Sequence, residues 1–309
     1  AWLIARDDHH AVLGLFPSDH VIEDEERFTS ALKKAIEIAA AGPNMVVMGI
    51  RPTRPETGYG YVEVTENAVP ASVSAPVESP ATASSAKNTR KGKSGRASSS
   101  KTTASAESAS DVLKVHRFRE KPDRETAEDF LRVGNFFWNS GMFVWSAQTV
   151  MDAMTEHLPN TATILGRISE TWGTQKFEST FRKLYPQCDN ISVDYALIEP
   201  RSAKGDESHL YCIPAEFRWN DLGSWTALYE HHARELGQAK NVIRADKAFE
   251  LDASGNYVYS PKKFVATVGV TGLVVVETAD ALLITTRERA QDVGKVVKYL
   301  DEQDLKKLV

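Results

Sequence analysis

Apolar residues fall along this chain in blocks whose spacing alternates between strand-like and helical. Residues 11–17 (Ala-Val-Leu-Gly-Leu-Phe-Pro) form a short continuous apolar run, which suits a strand buried in a parallel sheet. Over 24–41, Phe28, Ala31, Leu32, Ala35, Ile38 and Ala39 share one helical face, and Gly42 follows as a stop. A second apolar run at 45–50 completes strand–helix–strand. That order predicts an α/β domain with right-handed crossovers.

Residues 51–60 are rich in Pro and Gly and read as a shaped loop, with a strand starting at 61–64. The pattern then lapses. Residues 65–111 are dominated by Ser, Ala, Thr, Pro and Lys, too few of them large and apolar to offset chain entropy, so a disordered insertion at a hairpin tip is expected. Periodicity returns with a strand at 112–118. Asp123 then caps a helix over 124–133 that Gly134 ends. An aromatic-rich strand follows at 135–145, helices at 149–172 and 176–184, a strand at 210–217 and a helix at 224–236. Beyond Lys240 short β segments recur at 242–243, 257–259, 265–268, 273–277 and 281–285, before an amphipathic helix over 289–300.

Composition changes this picture little. The 309 residues are 42% hydrophobic, enough for one large domain or two ordinary ones. The net charge of −5 gives no global reason to expect a nucleic acid or an anionic membrane as partner. The exception is local: Lys87, Arg90, Lys91, Lys93, Arg96 and Lys101 make the centre of the insertion basic, which suits a solvated tip or, alternatively, a tether for RNA, an anionic surface or a partner. Cys188 and Cys212 form neither a disulfide framework nor a zinc spacing, and point to a reducing cytoplasm. No run of eighteen apolar residues reads as a membrane span. Residues 1–6 do not read as a signal peptide. They look like the end of a helix already under way, so a missing N-terminus is expected.

Two carboxylates carry the first chemical signal. Asp19 and Asp221 each follow an apolar run, and the carboxyl ends of strands line the ligand crevice of open α/β sheets. Two acids converging there suit a Mg²⁺ held by few protein ligands, water and substrate phosphates; each alone also suits a cap on a following turn. Lys121, between Glu120 and Pro122, is placed to set an ammonium against a phosphate. The glycines of Gly58-Tyr59-Gly60-Tyr61 serve either a close approach to a ligand or a tight turn with packed tyrosines. Asn139, among large aromatics, suits either sugar hydroxyls or a buried amide satisfied by backbone. His20 reads as structural, and the eight histidines show no metal-ligand spacing. No Gly-x-Ser-x-Gly or P-loop is present, which removes support for acyl-transfer hydrolases and P-loop NTPases.

The order of these blocks is more specific than any one of them. Phe16-Pro17-Ser18-Asp19-His20-Val21-Ile22, the stretch from Gly49 to Tyr61, Phe118-Arg119-Glu120-Lys121-Pro122, Trp138-Asn139-Ser140-Gly141-Met142-Phe143, Ile191-Ser192-Val193-Asp194-Tyr195-Ala196 and Trp219-Asn220-Asp221-Leu222-Gly223-Ser224-Trp225 follow one another. Together they resemble the motifs of mannose-1-phosphate guanylyltransferases, within the sugar-nucleotide pyrophosphorylases. The resemblance covers residues 11 to about 230. It implies a Rossmann-like nucleotidyltransferase core with a mixed, mainly parallel sheet, over 1–239, followed by a small β-rich appendage and terminal helix over 240–309.

The same resemblance implies transfer of GMP from GTP to mannose-1-phosphate, giving GDP-mannose and pyrophosphate. Asp19 and Asp221 would hold Mg²⁺ and Lys121 the sugar phosphate, these three forming the catalytic set. Gly60, Glu120, Asn139 and Asp194 would hold the hexose. A homodimer is a further expectation. Two features depart from the family. Its opening strand and Gly-rich loop, which cradle the triphosphate and help select guanine, have no counterpart here, so the chain is expected to be an N-terminally truncated piece. The insertion at 65–111 is the other. A relative using another base or sugar, and a non-catalytic binding homologue, remain as alternative readings.

Overall fold

The computed structural model describes residues 1–67, 112–236 and 240–308. Of the insertion expected over 65–111, residues 68–111, which include its basic centre, lie outside the described residues. In chain order the elements are β1 (Val12–Leu15), β2 (Val21–Glu23), α1 (Glu25–Ala40), β3 (Met45–Ile50), β4 (Tyr61–Asn67), β5 (Leu113–Arg119), α2 (Arg124–Val133) and β6 (Phe136–Ser146). Then come α3 (Ala147–His157), α4 (Pro159–Glu170), α5 (Phe177–Leu184), α6 (Glu199–Ser202), β7 (Leu210–Pro214), β8 (Arg218–Asn220) and α7 (Trp225–Leu236). The C-terminal module holds β9 (Val242–Leu251), β10 (Tyr257–Val268), β11 (Leu273–Glu277), β12 (Leu282–Thr286), a 3-10 turn (Arg287–Asp292) and α8 (Val293–Glu302).

The main sheet runs β1-β6-β3-β7-β5-β4, and a further pairing of β4 with the start of β6 closes five of its strands into a ring. β3 shows why its sequence is continuously apolar. Met45 and Val47 enter the core on one face with Trp145 and Leu210, while Val46 and Met48 enter the other with Ala35 and Ile38 of α1. The side chain of Asn44 donates to the Ile38 carbonyl at 2.7 Å and so closes the C-terminal end of α1. Asp123 caps α2 by accepting from the Thr126 amide at 2.8 Å, and Gly134 ends it at φ +83°, both as expected.

Several expectations need correction. The fold is mixed α/β, but among the described strands of the main sheet only β3 and β7 pair in parallel. The sheet is therefore not mainly parallel, because the long β6 runs antiparallel between β1 and β3 and again beside β4. β1 is not a buried parallel strand. It is an edge strand bonded to β6, with Leu15 and the following Phe16 exposed. The helix expected over 149–172 breaks at Leu158, since Pro159 has no N–H to continue the ladder. The strand expected over 210–217 stops at Pro214, and a separate short strand, β8, follows. β4 extends to Asn67, past the point where the apolar pattern fades.

The C-terminal sheet runs β12-β11-β10-β9, with β9, β10 and β11 parallel and β12 antiparallel. Tyr229 and Ala233 of α7 pack on Val242, Tyr257, Val274 and Val276, so this helix joins the two modules through one apolar cluster. No helix among the described residues is long and apolar enough to cross a membrane.

Candidate active site

A two-stranded ribbon brings the two predicted carboxylates to one place. β2 pairs antiparallel with β8 so that Val21 faces Asn220. Asp19, two residues before Val21, and Asp221, one residue after Asn220, therefore leave the ribbon at the same end. Trp219 locks this end: its indole N–H donates to His20 Nδ1 at 3.1 Å, and the two rings meet edge-on. That bond makes Nδ1 the acceptor and leaves the ring proton on Nε2, 4.0 Å from Asp19 Oδ1. His20 thus serves the frame. The Asp19 side chain stays 83% exposed, as a group meant for a ligand can be.

Asp221 is held more tightly. The buried Asn220 side chain accepts from the Leu222 amide at 2.7 Å and donates to the Ala227 carbonyl at 3.1 Å, bending the chain sharply with Leu222 at φ +48°. A Cβ on Gly223 would stand 2.6 Å from Asp221 Oδ2, so the carboxylate occupies space only a glycine leaves. Its other oxygen, Oδ1, accepts from the Tyr59 hydroxyl at 2.7 Å. Tyr59 is wedged edge-on between Trp138 and Trp219. Burial pushes its phenol well above the usual range, and the bond to Asp221 reinforces the shift.

The predicted sugar cluster assembles through register. Tyr61 of β4 faces Arg119 of β5 on one side and Trp138 of β6 on the other. One position out, Gly60 therefore falls between Glu120 and Asn139. The Asn139 amide donates to the Gly60 carbonyl at 2.8 Å. A Cβ on Gly60 would collide with Glu120 Oε2 and stand 2.9 Å from Phe118 Cζ. The Asn139 side chain donates to Asp194 Oδ1 at 2.8 Å and accepts from the Gly141 amide at 3.1 Å. Asp194 opens a single π-helical turn, Asp194–Ile198.

Two acids at close quarters shape the electrostatics. The Glu120 side chain is 8% exposed, and its Oε2 has no hydrogen-bond partner. Burial, then the charge of Asp194, pushes its carboxyl up to about 7. Burial also raises Asp194, against the opposing bond from Asn139. Lys121 Nζ lies 3.7 Å from Glu120 Oε1 with its side chain 58% exposed, on a residue held at φ +45°. A buried carboxyl, an amide and a lysine ammonium around one glycine can bind hydroxyls and a phosphate.

The two groups adjoin. Tyr59, bonded to Asp221, is the chain neighbour of Gly60, and the Cβ position of Gly141 is 3.4 Å from Pro17 and 4.0 Å from His20. All seven site residues expected from the sequence thus border one region. The reading of residues 49–61 rested on the glycines and missed the Tyr59 hydroxyl and the polar side chains of Arg54 and Glu56. Nothing local to the sequence pairs those groups with residues far along the chain. Among the described residues no group of three or more His, Cys, Asp or Glu side chains could hold a metal ion.

Residues 1–100 and 104–238 match the family model described as nucleotidyl transferase, and the chain belongs to that family. Residues 246–300 match a second model, the MannoseP isomerase/GMP-like beta-helix domain. The chain is 30% identical over 302 residues to the mannose-1-phosphate guanylyltransferase RfbM of Salmonella typhimurium, covering 96% of this chain and 52% of the relative. It is 30% identical over 304 residues to the alginate biosynthesis protein AlgA of Pseudomonas aeruginosa, covering 98% and 53%. A crystal structure described as a mannose-1-phosphate geranyltransferase from Thermus thermophilus is similar with a TM-score of 0.67 and 27% identity, over 97% of this chain and 72% of that one. The chain spans about half the length of the curated relatives it matches.

Proposed function

We propose that this chain carries the site that joins a guanylyl group to mannose-1-phosphate, releasing pyrophosphate from GTP. The observation behind this reading is the convergence of Asp19 and Asp221 beside the Gly60–Glu120–Asn139–Asp194 cluster, in a chain whose relatives bear the matching name. Asn139, Asp194 and Glu120 would take the hexose hydroxyls, with Gly60 leaving room for the ring. Lys121 would hold the sugar phosphate. An ionised phosphate needs no general base, so these side chains act by binding and orientation.

Asp19 and Asp221 would hold Mg²⁺. Both donors are hard oxygens, Asp19 is open to solvent, and the absence of a fuller protein cage among the described residues suits an ion that keeps substrate and water ligands. When bound, Mg²⁺ would neutralise charge on the phosphates. Tyr59 meanwhile fixes the Asp221 carboxylate, and Trp138 and Trp219 hold the Tyr59 ring edge-on between them.

The test has two arms. Calorimetry on this chain should show mannose-1-phosphate binding that Glu120→Gln or Asn139→Ala weakens. Pyrophosphate release, measured on the full product of the gene with Mg²⁺, should be faster with GTP than with ATP or UTP, and faster with mannose-1-phosphate than with glucose-1-phosphate. Binding without turnover by the full product would favour a non-catalytic homologue; another preferred pair would reassign base or sugar.

A further inference from the structure

The C-terminal module reaches the edge of the active site. The turn Arg287–Asp292 is fixed to α7 at two points: Thr226 Oγ1 donates to the Arg287 carbonyl at 2.7 Å, and the Arg287 guanidinium lies 4.2 Å from the centre of the Tyr229 ring; Ala290 of the turn is buried. From this turn, Gln291 Nε2 donates to Glu56 Oε1 at 3.1 Å. Glu56, only 6% exposed, is the hub of the loop that carries Tyr59 and Gly60. Its Oε1 also accepts from the Gly58 amide at 3.1 Å, and its Oε2 accepts from Arg54 Nε at 3.2 Å. Arg54 in turn donates to both oxygens of Glu230 on α7, at 2.9 and 3.1 Å, and lies over the Trp138 ring.

Gly58 makes the approach possible, since a Cβ there would stand 3.1 Å from Gln291 Nε2. Gln291 also lines two cavities, of about 760 and 510 Å³. The first is bordered by Arg54 and Glu56, the second by Leu222 and Gly223 just beyond Asp221. The turn therefore stands between the two loops that the Tyr59–Asp221 bond ties together.

We propose that Gln291 is a positioning residue for the nucleotidyl-transfer site: through Glu56 it holds residues 56–60 in the conformation that presents Gly60 to the sugar and Tyr59 to Asp221. The C-terminal module is then part of the site's frame. The kinetic part rests on the sugar-phosphate reading given above; the structural part does not.

Gln291 is exposed, so its replacement leaves the core intact. Gln291→Leu removes the donor, and Gln291→Glu sets a second carboxylate against a buried one. Amide hydrogen exchange and steady-state kinetics, on the full product of the gene, test both. Exchange at Gly58 and Gly60 should quicken in Gln291→Leu and more so in Gln291→Glu, while the fold is kept and the melting temperature falls by only about a few degrees. KM for mannose-1-phosphate should rise about three- to tenfold in Gln291→Leu, the scale of one hydrogen bond, with KM for GTP unmoved. Unchanged exchange in both variants overturns the clamp. Faster exchange with unchanged kinetics overturns its bearing on the site. A wild-type protein with no turnover points instead to failure of the sugar-phosphate reading, and the exchange result then still decides whether the clamp exists.

Discussion

The Tyr59 hydroxyl and Asp221 Oδ1, 162 positions apart in sequence, are 2.7 Å apart in space. The bond selects one orientation of the carboxylate, with Oδ2 turned into the space left by Gly223. Tyr59→Phe keeps the ring between Trp138 and Trp219 and removes only the O–H. A hydrogen bond to a charged acceptor contributes about 1.5–3 kcal/mol. We expect kcat to fall about tenfold or more and the Mg²⁺ concentration for half-maximal rate to rise. Turnover followed through a Mg²⁺ titration checks both; an unaltered titration would mean that backbone alone holds Asp221.

Asp19→Asn and Asp221→Asn should each lower turnover by several orders of magnitude and weaken the dependence on Mg²⁺. Neither should unfold the protein. Asp19 is largely exposed, and an asparagine oxygen at 221 still accepts from Tyr59. Near-normal rates in both variants, with native circular dichroism, would remove the metal assignment.

Lys121 offers a separation of stability from function. Its φ of +45° is a conformation that costs a side-chain-bearing residue roughly 1–2 kcal/mol and glycine almost nothing. Lys121→Gly should raise thermal stability by about 1 kcal/mol while raising KM for the sugar phosphate more than KM for the nucleotide. Lys121→Ala should raise the same KM without the gain in stability. An effect confined to GTP would place this lysine in the wrong subsite.

Glu120 predicts a pH dependence. Its carboxyl is raised from 4.5 to about 7 by burial and by Asp194, so the folded state binds the proton more tightly than the unfolded chain. Its contribution to stability is present below about 4.5 and is lost as pH rises through about 7. Glu120→Gln stays neutral throughout. Wild type should therefore lose melting temperature relative to Glu120→Gln between those pH values, as scanning calorimetry would show; parallel curves would contradict the shift.

Much of the site was legible as residue types in order. Asp19, Glu120, Lys121, Asn139, Asp194 and Asp221 stand in blocks whose succession resembles one family, and a nucleotidyl transferase model matches the chain. The helix over 124–133 was legible to the residue because both of its ends are local: a capping Asp123 and a Gly134 at positive φ. Gln291 carried no such signal. It lies in an unremarkable polar stretch, 235 positions from the carboxylate it bonds.

What the sequence by itself determined was local: the apolar period of each element, the caps, the breaks and the kinds of chemical group on hand. Each depends on residues within a few positions of one another. The tertiary structure decided which groups are neighbours. The register at Tyr61 sets Gly60 between Glu120 and Asn139, and the β2–β8 ribbon draws Asp19 toward Asp221. It also decided that the sheet is mostly antiparallel among its described strands, because pairing follows how whole faces are buried and an apolar run does not state its direction. Glu120 makes the same point in charge. Its composition is that of any glutamate, and only desolvation by the residues packed around it, beside Asp194, carries its carboxyl to about 7.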